Sequence, residues 1–314
     1  MTHRPSAETH ALSEYLESRR AEIEAALRTV LPGPPDCPTV VADAMRYSLT
    51  AGGKRLRPIL CLASADSVGG DRALAVPAAC AIELIHTYSL IHDDLPAMDD
   101  DVMRRGRPTL HVVAGEGMAI LAGDGLLTEA FHLLAREPKT TDLSIAARKL
   151  RVIDTIAEAA GPVGMVGGQA LDLASVAPVG ASAAPPTLDR EAVATMHRKK
   201  TGAMIRASAI AGAIMGGGDE QQIDAIARAA AELGLAFQIV DDILDVEASS
   251  ADLGKTAGKD AAAGKPTYPS LYGLDTSKQM ARDCLDRAHT ILSAADMADA
   301  YLLGIGRWIV ERSN

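Results

Sequence analysis

Aromatic residues are scarce in this chain. Two Phe, six Tyr and one Trp make up 3% of its 314 residues, against 48% hydrophobic residues overall and abundant alanine. Sheets favour β-branched and aromatic side chains, so this mixture argues against a sheet-built core and suits closely packed helices. Cysteine is scarce too: Cys37, Cys61, Cys80 and Cys284 are scattered without CxxC spacing. That excludes a disulfide framework or a zinc knuckle and reads as reduced thiols in a cytoplasmic protein. Positive charge is not in excess. The formal net charge of −10 argues against nucleic acid as the main partner. No uncharged apolar run reaches about 18 residues, so no membrane span is expected. No apolar segment follows Met1–Pro5, so no signal peptide is expected either. A GxxxxGK[ST] loop is absent, which argues against a P-loop nucleotide enzyme.

Almost every segment that remains reads at helical period. Helices are expected at roughly 6–30, 37–51, 56–68, 72–95, 111–136, 142–173 with an interruption, 189–215, 219–247, 276–294 and 297–312. Gly69-Gly70-Asp71 and Gly216-Gly217-Gly218 punctuate them. Asp219 with Gln222, and Thr276 with Gln279, fit the capping-box spacing. Ile223, Ala227, Ala230, Leu233 and Phe237 form one apolar stripe. Ala174–Pro186, rich in proline and small residues, reads as a surface loop. It is not a domain boundary, because the two acidic clusters described next flank it and make chemical sense only face to face. The expectation is one all-α domain over 1–314, a helical bundle around a central cavity.

The acidic clusters are Asp93-Asp94-Leu95-Pro96-Ala97-Met98-Asp99-Asp100-Asp101 and Asp241-Asp242-Ile243-Leu244-Asp245. Each follows an apolar stretch. Carboxylates this dense repel one another and resist desolvation, so a positive charge belongs between them. A hard divalent cation fits, most simply Mg²⁺, which takes oxygen ligands and keeps waters and substrate phosphates in its shell. On an ideal helix Asp241, Asp242 and Asp245 lie within about 100° of one another and share a face. The first cluster is less regular. Either the helix distorts over Leu95–Met98 and brings Asp99 round to Asp93, or Asp100 takes that place; helical periodicity alone favours Asp100.

Cations accompany both clusters. Gly52-Gly53-Lys54-Arg55-Leu56-Arg57-Pro58 offers close backbone approach beside Lys and Arg donors. Arg104-Arg105-Gly106-Arg107, Lys199-Lys200-Thr201-Gly202 and Gly254-Lys255, with Lys259 and Lys265 nearby, add further basic segments. Carboxylates, Mg²⁺ and Lys/Arg together describe a diphosphate site. His86 lies two helical turns before Asp93 on the same face; His92, His111 and His197 read as packing or hydrogen-bonding histidines.

With these motifs in order, joined by Leu121-Ala122-Gly123-Asp124 and Gly167-Gly168-Gln169-Ala170-Leu171-Asp172-Leu173, the sequence resembles the trans-prenyltransferases, the polyprenyl diphosphate synthases, over nearly its whole length. The resemblance implies an all-α bundle around a deep cavity, usually a homodimer. It implies that Asp93, Asp99 and Asp241 ligate a cluster of three Mg²⁺ ions, which overrules the helical-wheel preference for Asp100. Asp94, Asp242 and Asp245 would complete the metal site, largely through water. Arg104, Lys200 and Lys255 would hold an allylic diphosphate, and Lys54, Arg57, His86 and Arg105 isopentenyl diphosphate. Thr201 and Gln238 would line the reacting carbons; with Lys200 and Lys255 they form the expected catalytic set. Arg312-Ser313-Asn314 lacks the family's terminal lysine, which puts the usual closure over the isopentenyl site in question.

Product length should follow from what blocks the cavity floor. Tyr88 and Ser89 lie about one turn before Asp93. An aromatic at Tyr88, with the spacer Leu95–Met98, resembles the bacterial farnesyl diphosphate synthases that stop at C15. A geranylgeranyl (C20) synthase is the nearest rival. A terpene cyclase would not need the Lys54/Arg57 element, a non-catalytic subunit would carry degenerate aspartate motifs, and a helical interaction protein leaves the cations unexplained.

Overall fold

The computed structural model describes residues 7–175, 189–247, 267–297 and 301–312. Lys255, with Gly254, Lys259 and Lys265, residues 176–186 of the proline-rich segment, and Ser313-Asn314 lie outside them.

The chain is helical, as its composition requires. The helices are α1 (Ala7–Val30), α2 (Thr39–Leu49), α3 (Leu56–Ser67), α4 (Val76–Asp93), α5 (Leu110–Ala114), α6 (Glu116–Arg136), α7 (Leu143–Ala160) and α8 (Met165–Ala174). Then come α9 (Arg190–His197), a π turn at Arg198–Gly202, α10 (Ala203–Gly216) and α11 (Glu220–Glu247). The last are α12 (Tyr268–Tyr272), α13 (Leu274–Ala294) and α14 (Tyr301–Glu311). A two-residue ribbon pairs β1 (Met103–Arg104) with β2 (Arg107–Pro108), antiparallel.

Helix α10 is the axis of the bundle. All residues from Met204 to Met215 except Arg206 are buried, and α3, α7 and α11 pack around it. The approach to α3 is close enough to exclude a side chain: a Cβ on Gly212 would lie 1.8 Å from the Cys61 carbonyl oxygen. α4 lies between α3 and α6, while α13 and α14 cover α11. The buried apolar residues form one connected cluster that draws on helices from both halves of the chain. Arg72–Asp93 and Glu116–Arg136 are long and apolar enough to cross a membrane, but the first is mostly packed inside this bundle.

Most expected helix boundaries match. The Asp219/Gln222 box forms: the Gln222 N–H donates to Asp219 Oδ1 at 2.8 Å and the Asp219 N–H to Gln222 Oε1 at 3.0 Å. Gly217, at φ 84°, ends α10 in the left-handed region. The Thr276/Gln279 box does not form. Gly273, with φ 83°, lets the backbone turn earlier, so α13 starts at Leu274 and Thr276 lies inside it.

Candidate active site

The aspartate-bearing end of α4 settles the choice between Asp99 and Asp100. The helix ends at Asp93, so ideal periodicity stops applying there. The chain then loops tightly. The Met98 N–H donates to the Leu95 carbonyl at 2.8 Å, and the Asp99 N–H returns to the Asp93 carbonyl at 2.9 Å. Asp100 takes a left-handed φ of 51°. The wheel preference for Asp100 is therefore corrected: the carboxylate brought round to Asp93 is that of Asp99. Burial, together with Asp99 and Asp94, pushes the Asp93 carboxyl up to about 6, while Lys200 and Arg104 oppose the rise. A carboxylate so frustrated is one that a cation would relieve.

Asp94 turns the other way. It is buried and accepts from Arg104 Nε at 2.6 Å, and Arg104 also reaches Asp101 at 3.4 Å. The arginine thus holds the loop as well as facing Asp93.

The second cluster divides in the same manner. Asp242 is buried, with Oδ1 accepting from Gln238 at 2.8 Å and Oδ2 from the Tyr268 N–H at 2.9 Å. Those bonds make it a positioning group that ties α12 to α11. Asp241 is partly exposed and receives Arg312 at 2.6 Å. Asp245 is partly exposed on the same helix.

The link between the clusters is the π turn. Its wider coil brings Lys200 and Thr201 to the same wall. Lys200 Nζ lies 2.5 Å from Asp172 and is the main cation acting on Asp93. The Thr201 hydroxyl donates to Gln238 Oε1 at 3.0 Å, which continues to Asp242. α8 supports the turn from behind: a Cβ on Gly168 would lie 2.1 Å from the Lys200 backbone nitrogen.

Across the site stands the second group of cations. Arg55 is the anchor: it is buried, with φ 51°, and pairs with Glu83 at 2.5 Å and Glu24 at 2.7 Å. Its neighbours Lys54 and Arg57 take no part in that pairing with Glu83 and Glu24. Arg57 donates toward His86 Nε2 at 3.3 Å. Burial and the neighbouring arginines Arg57, Arg105, Arg104 and Arg55 hold the His86 imidazolium well below its usual range, so His86 is neutral and accepts that bond. Arg105 and Gly106 occupy the two-residue turn of the β1–β2 ribbon, both at positive φ. The Arg105 guanidinium donates to the Gly52 carbonyl and lies against Gly53, where a Cβ would come within 2.7 Å. The glycines of this loop thus make room for an arginine.

Tyr88 is buried and meets His92 edge-on, with ring centroids 5.6 Å apart. The hydroxyl of Ser89 is turned back to the His86 carbonyl at 3.0 Å. On the other side of the π turn a groove of about 460 Å³ is lined by His197, Lys199, Arg206, Leu235 and Gln238. It shares the turn and Gln238 with the site, but no aspartate.

Several residues of consequence escaped sequence reasoning. Asp172 pairs with Lys200, Glu83 with Arg55, and Arg312 with Asp241. Gln169 has both amide atoms buried without a partner among the described residues. Buried acids amid cations were the available signal for Asp172 and Glu83; nothing local marked Arg312.

His197 supplies a pH test of this wall. It is buried, and burial lowers its imidazole to about 4, with Lys200 adding and Asp172 opposing. A group depressed on folding stabilises the fold above its unfolded pKa, and that contribution is lost as pH falls from about 6.5 toward 4. Between pH 7 and pH 5 the wild type is expected to lose about 2 kcal/mol from this group alone. Urea unfolding should show His197→Gln with a flatter profile by that amount; parallel profiles would place the titration elsewhere.

Mg²⁺ fits the donor set in one particular way. Among the described residues no group of three His, Cys, Asp or Glu side chains forms a ready-made metal cage. What the site offers is the carboxylates of Asp93 and Asp99 at the end of α4 and of Asp241 on α11. Mg²⁺ is bound in that way, by one or two carboxylates with substrate phosphates and waters completing the octahedron.

Comparison with known proteins agrees with this geometry. The polyprenyl synthetase family model matches residues 38–301. The chain is 46% identical over 278 residues to geranylgeranyl pyrophosphate synthase 7, chloroplastic, of Arabidopsis thaliana, covering 88% of this chain and 78% of that one. It is 42% identical over 303 residues to a geranylgeranyl diphosphate synthase of Cyanophora paradoxa, covering 96% and 97% of the two chains. Among solved structures, an FPP/GFPP synthase from Zymomonas mobilis in its apo form superposes with a TM-score of 0.82 at 37% identity, covering 96% of this chain and 99% of that one. The chain belongs to the polyprenyl synthetase family and is an all-α short-chain prenyltransferase.

Proposed function

We propose that this enzyme condenses isopentenyl diphosphate with allylic diphosphates and releases geranylgeranyl diphosphate. The observation that carries the reading is the division of cations about these carboxylates. Lys200 and Arg104 act on Asp93 from one side, and Lys54 and Arg57 on Asp241 from the other. Two cationic poles flanking these carboxylates suit two diphosphates held head to head.

Asp93, Asp99 and Asp241 would hold Mg²⁺, three ions by family resemblance, with Asp94, Asp242 and Asp245 behind them. Bound there, Mg²⁺ would neutralise charge on the leaving diphosphate. Lys200 and Arg104 add fixed positive charge at that pole, which favours ionisation of the allylic C–O bond; Lys255, outside the described residues, would join them by family resemblance. Lys54, Arg57, Arg105 and neutral His86 fix the isopentenyl diphosphate so that its double bond meets the allylic carbon, a proximity effect. Thr201 and Gln238, bonded to each other, border the reacting carbons without offering a strong base. The departing diphosphate takes the proton.

The two sequence relatives reported above are named geranylgeranyl synthases, which favours C20 over the C15 product expected from Tyr88, while the solved structure is named an FPP/GFPP synthase. Tyr88 nonetheless supports farnesyl diphosphate as a second reading, since it is buried on the helix that carries Asp93. Incubation with dimethylallyl, geranyl or farnesyl diphosphate, isopentenyl diphosphate and Mg²⁺, followed by chromatography of the product alcohols, decides. C20 alcohol is expected; accumulation of C15 selects the second reading, and no elongation of any starter sinks both.

We further infer a homodimer. Val112 and Val113 on α5, Ile120 and Leu121 on α6, and Leu143 and Leu150 on α7 are exposed on consecutive helices. Four cysteines free of disulfides favour a cytoplasmic setting.

A further inference from the structure

The last described arginine lies on a carboxylate assigned to the metal. Arg312 follows α14, and its side chain is 3% exposed. Its guanidinium donates to Asp241 Oδ1 at 2.6 Å and to the Phe237 carbonyl at 3.0 Å, and its centre lies 4.0 Å from the centroid of the Phe237 ring. On the same helix, Trp308 has the Lys54 ammonium 5.8 Å from its ring. Asp241 is therefore the carboxylate opposite Arg312, Lys54 and Arg57 together.

We propose that Arg312 and the metal compete for Asp241, so that Arg312 is a positioning residue which couples the metal pole to the isopentenyl pole. The proposal rests on Asp241 being a metal ligand, as read above. A carboxylate oxygen 2.6 Å from a guanidinium has one of its coordination sites occupied. A cation entering there has to displace the arginine. Displacement offsets the negative charge that Arg312, Lys54 and Arg57 share, and strengthens the attraction of those three groups for an added anion. An anion bound to them draws Arg312 away from Asp241 and favours the metal. By linkage the two effects are equal in size.

A guanidinium can keep its stacking on Phe237 while it exchanges its anionic partner, because its planar fork offers donors on several edges. The single Trp, on the helix that precedes Arg312, reports the exchange.

Mn²⁺ is the probe, with free ion counted by its EPR signal, in wild type, Asp241→Asn, Arg312→Ala and Arg312→Lys. The sites lost in Asp241→Asn define the Asp241-dependent binding. Arg312→Ala is expected to tighten that binding about tenfold and Arg312→Lys to lie between, the size of an ordinary coupling between sites. In wild type, Trp308 emission should change along the same Mn²⁺ titration, and in Arg312→Ala that change should vanish. Thermal unfolding shows whether each variant is folded. If Asp241→Asn binds Mn²⁺ like the wild type, the metal role of Asp241 fails and the proposal with it. If Asp241→Asn loses sites but Arg312→Ala binds no more tightly than wild type, the competition alone is refuted.

Discussion

Asp93→Ala is expected to lower turnover by about three orders of magnitude, roughly 4 kcal/mol of transition-state stabilisation, the scale of losing a principal electrostatic contact. The fold should survive. Asp93 is held in an unfavourable place, its carboxyl pushed up to about 6 by burial, Asp99 and Asp94. Removing it relieves burial and repulsion that Lys200 and Arg104 only partly offset. Without metal, the variant should resist urea as well as the wild type or better, and lose the added stability that Mg²⁺ gives the wild type. Asp241→Ala should lose activity on the same scale. Near-normal turnover at saturating Mg²⁺ in either variant contradicts the assignment, and unfolding of the variants would assign these residues to structure instead.

Tyr88→Ala is expected to lengthen the product by one or more isoprene units. The side chain is buried about a turn below Asp93 and packs edge-on against His92, whose ring fills the place left by Gly123. On the proposed reading Tyr88 bounds the growing chain, so truncation would open space beside α4 in which a longer prenyl chain gains about 0.8 kcal/mol per buried methylene. The truncation itself should cost about 3 kcal/mol of stability, as for other buried aromatics. From a C20 wild type the variant should yield C25 or longer; from a C15 wild type, C20. An unaltered chain-length distribution would show that Tyr88 is simply core.

The helices, their caps at Asp219 and Gly217, and both acidic clusters could be read along the chain because each depends on neighbours within a turn or two. The site's second half could not. Lys200 meets Asp172 because α8 approaches the π turn at Gly168, and a π turn has no strong sequence signature. Asp99 rather than Asp100 faces Asp93 because α4 stops, a change the helical wheel does not contain. Thr276 looked like a cap, yet Gly273 bent the backbone first. Asp242 shares a wheel face with Asp241 but spends its oxygens on Gln238 and on the start of α12, which only tertiary packing reveals. Arg312 pairs with a residue 71 positions away. For the aspartates a local pattern proposed the group and packing chose its neighbours; for Arg312 packing alone made the pair.

On the function proposed, the two aspartate clusters form one site where an allylic diphosphate ionises and isopentenyl diphosphate attacks. The direct measurement mixes purified protein with geranyl diphosphate, radiolabelled isopentenyl diphosphate and Mg²⁺, and counts both prenyl product and free pyrophosphate. One pyrophosphate should appear for each isopentenyl unit incorporated, with both signals abolished by EDTA and restored by Mg²⁺. Pyrophosphate release without incorporation of label, or incorporation that persists in EDTA, would contradict it.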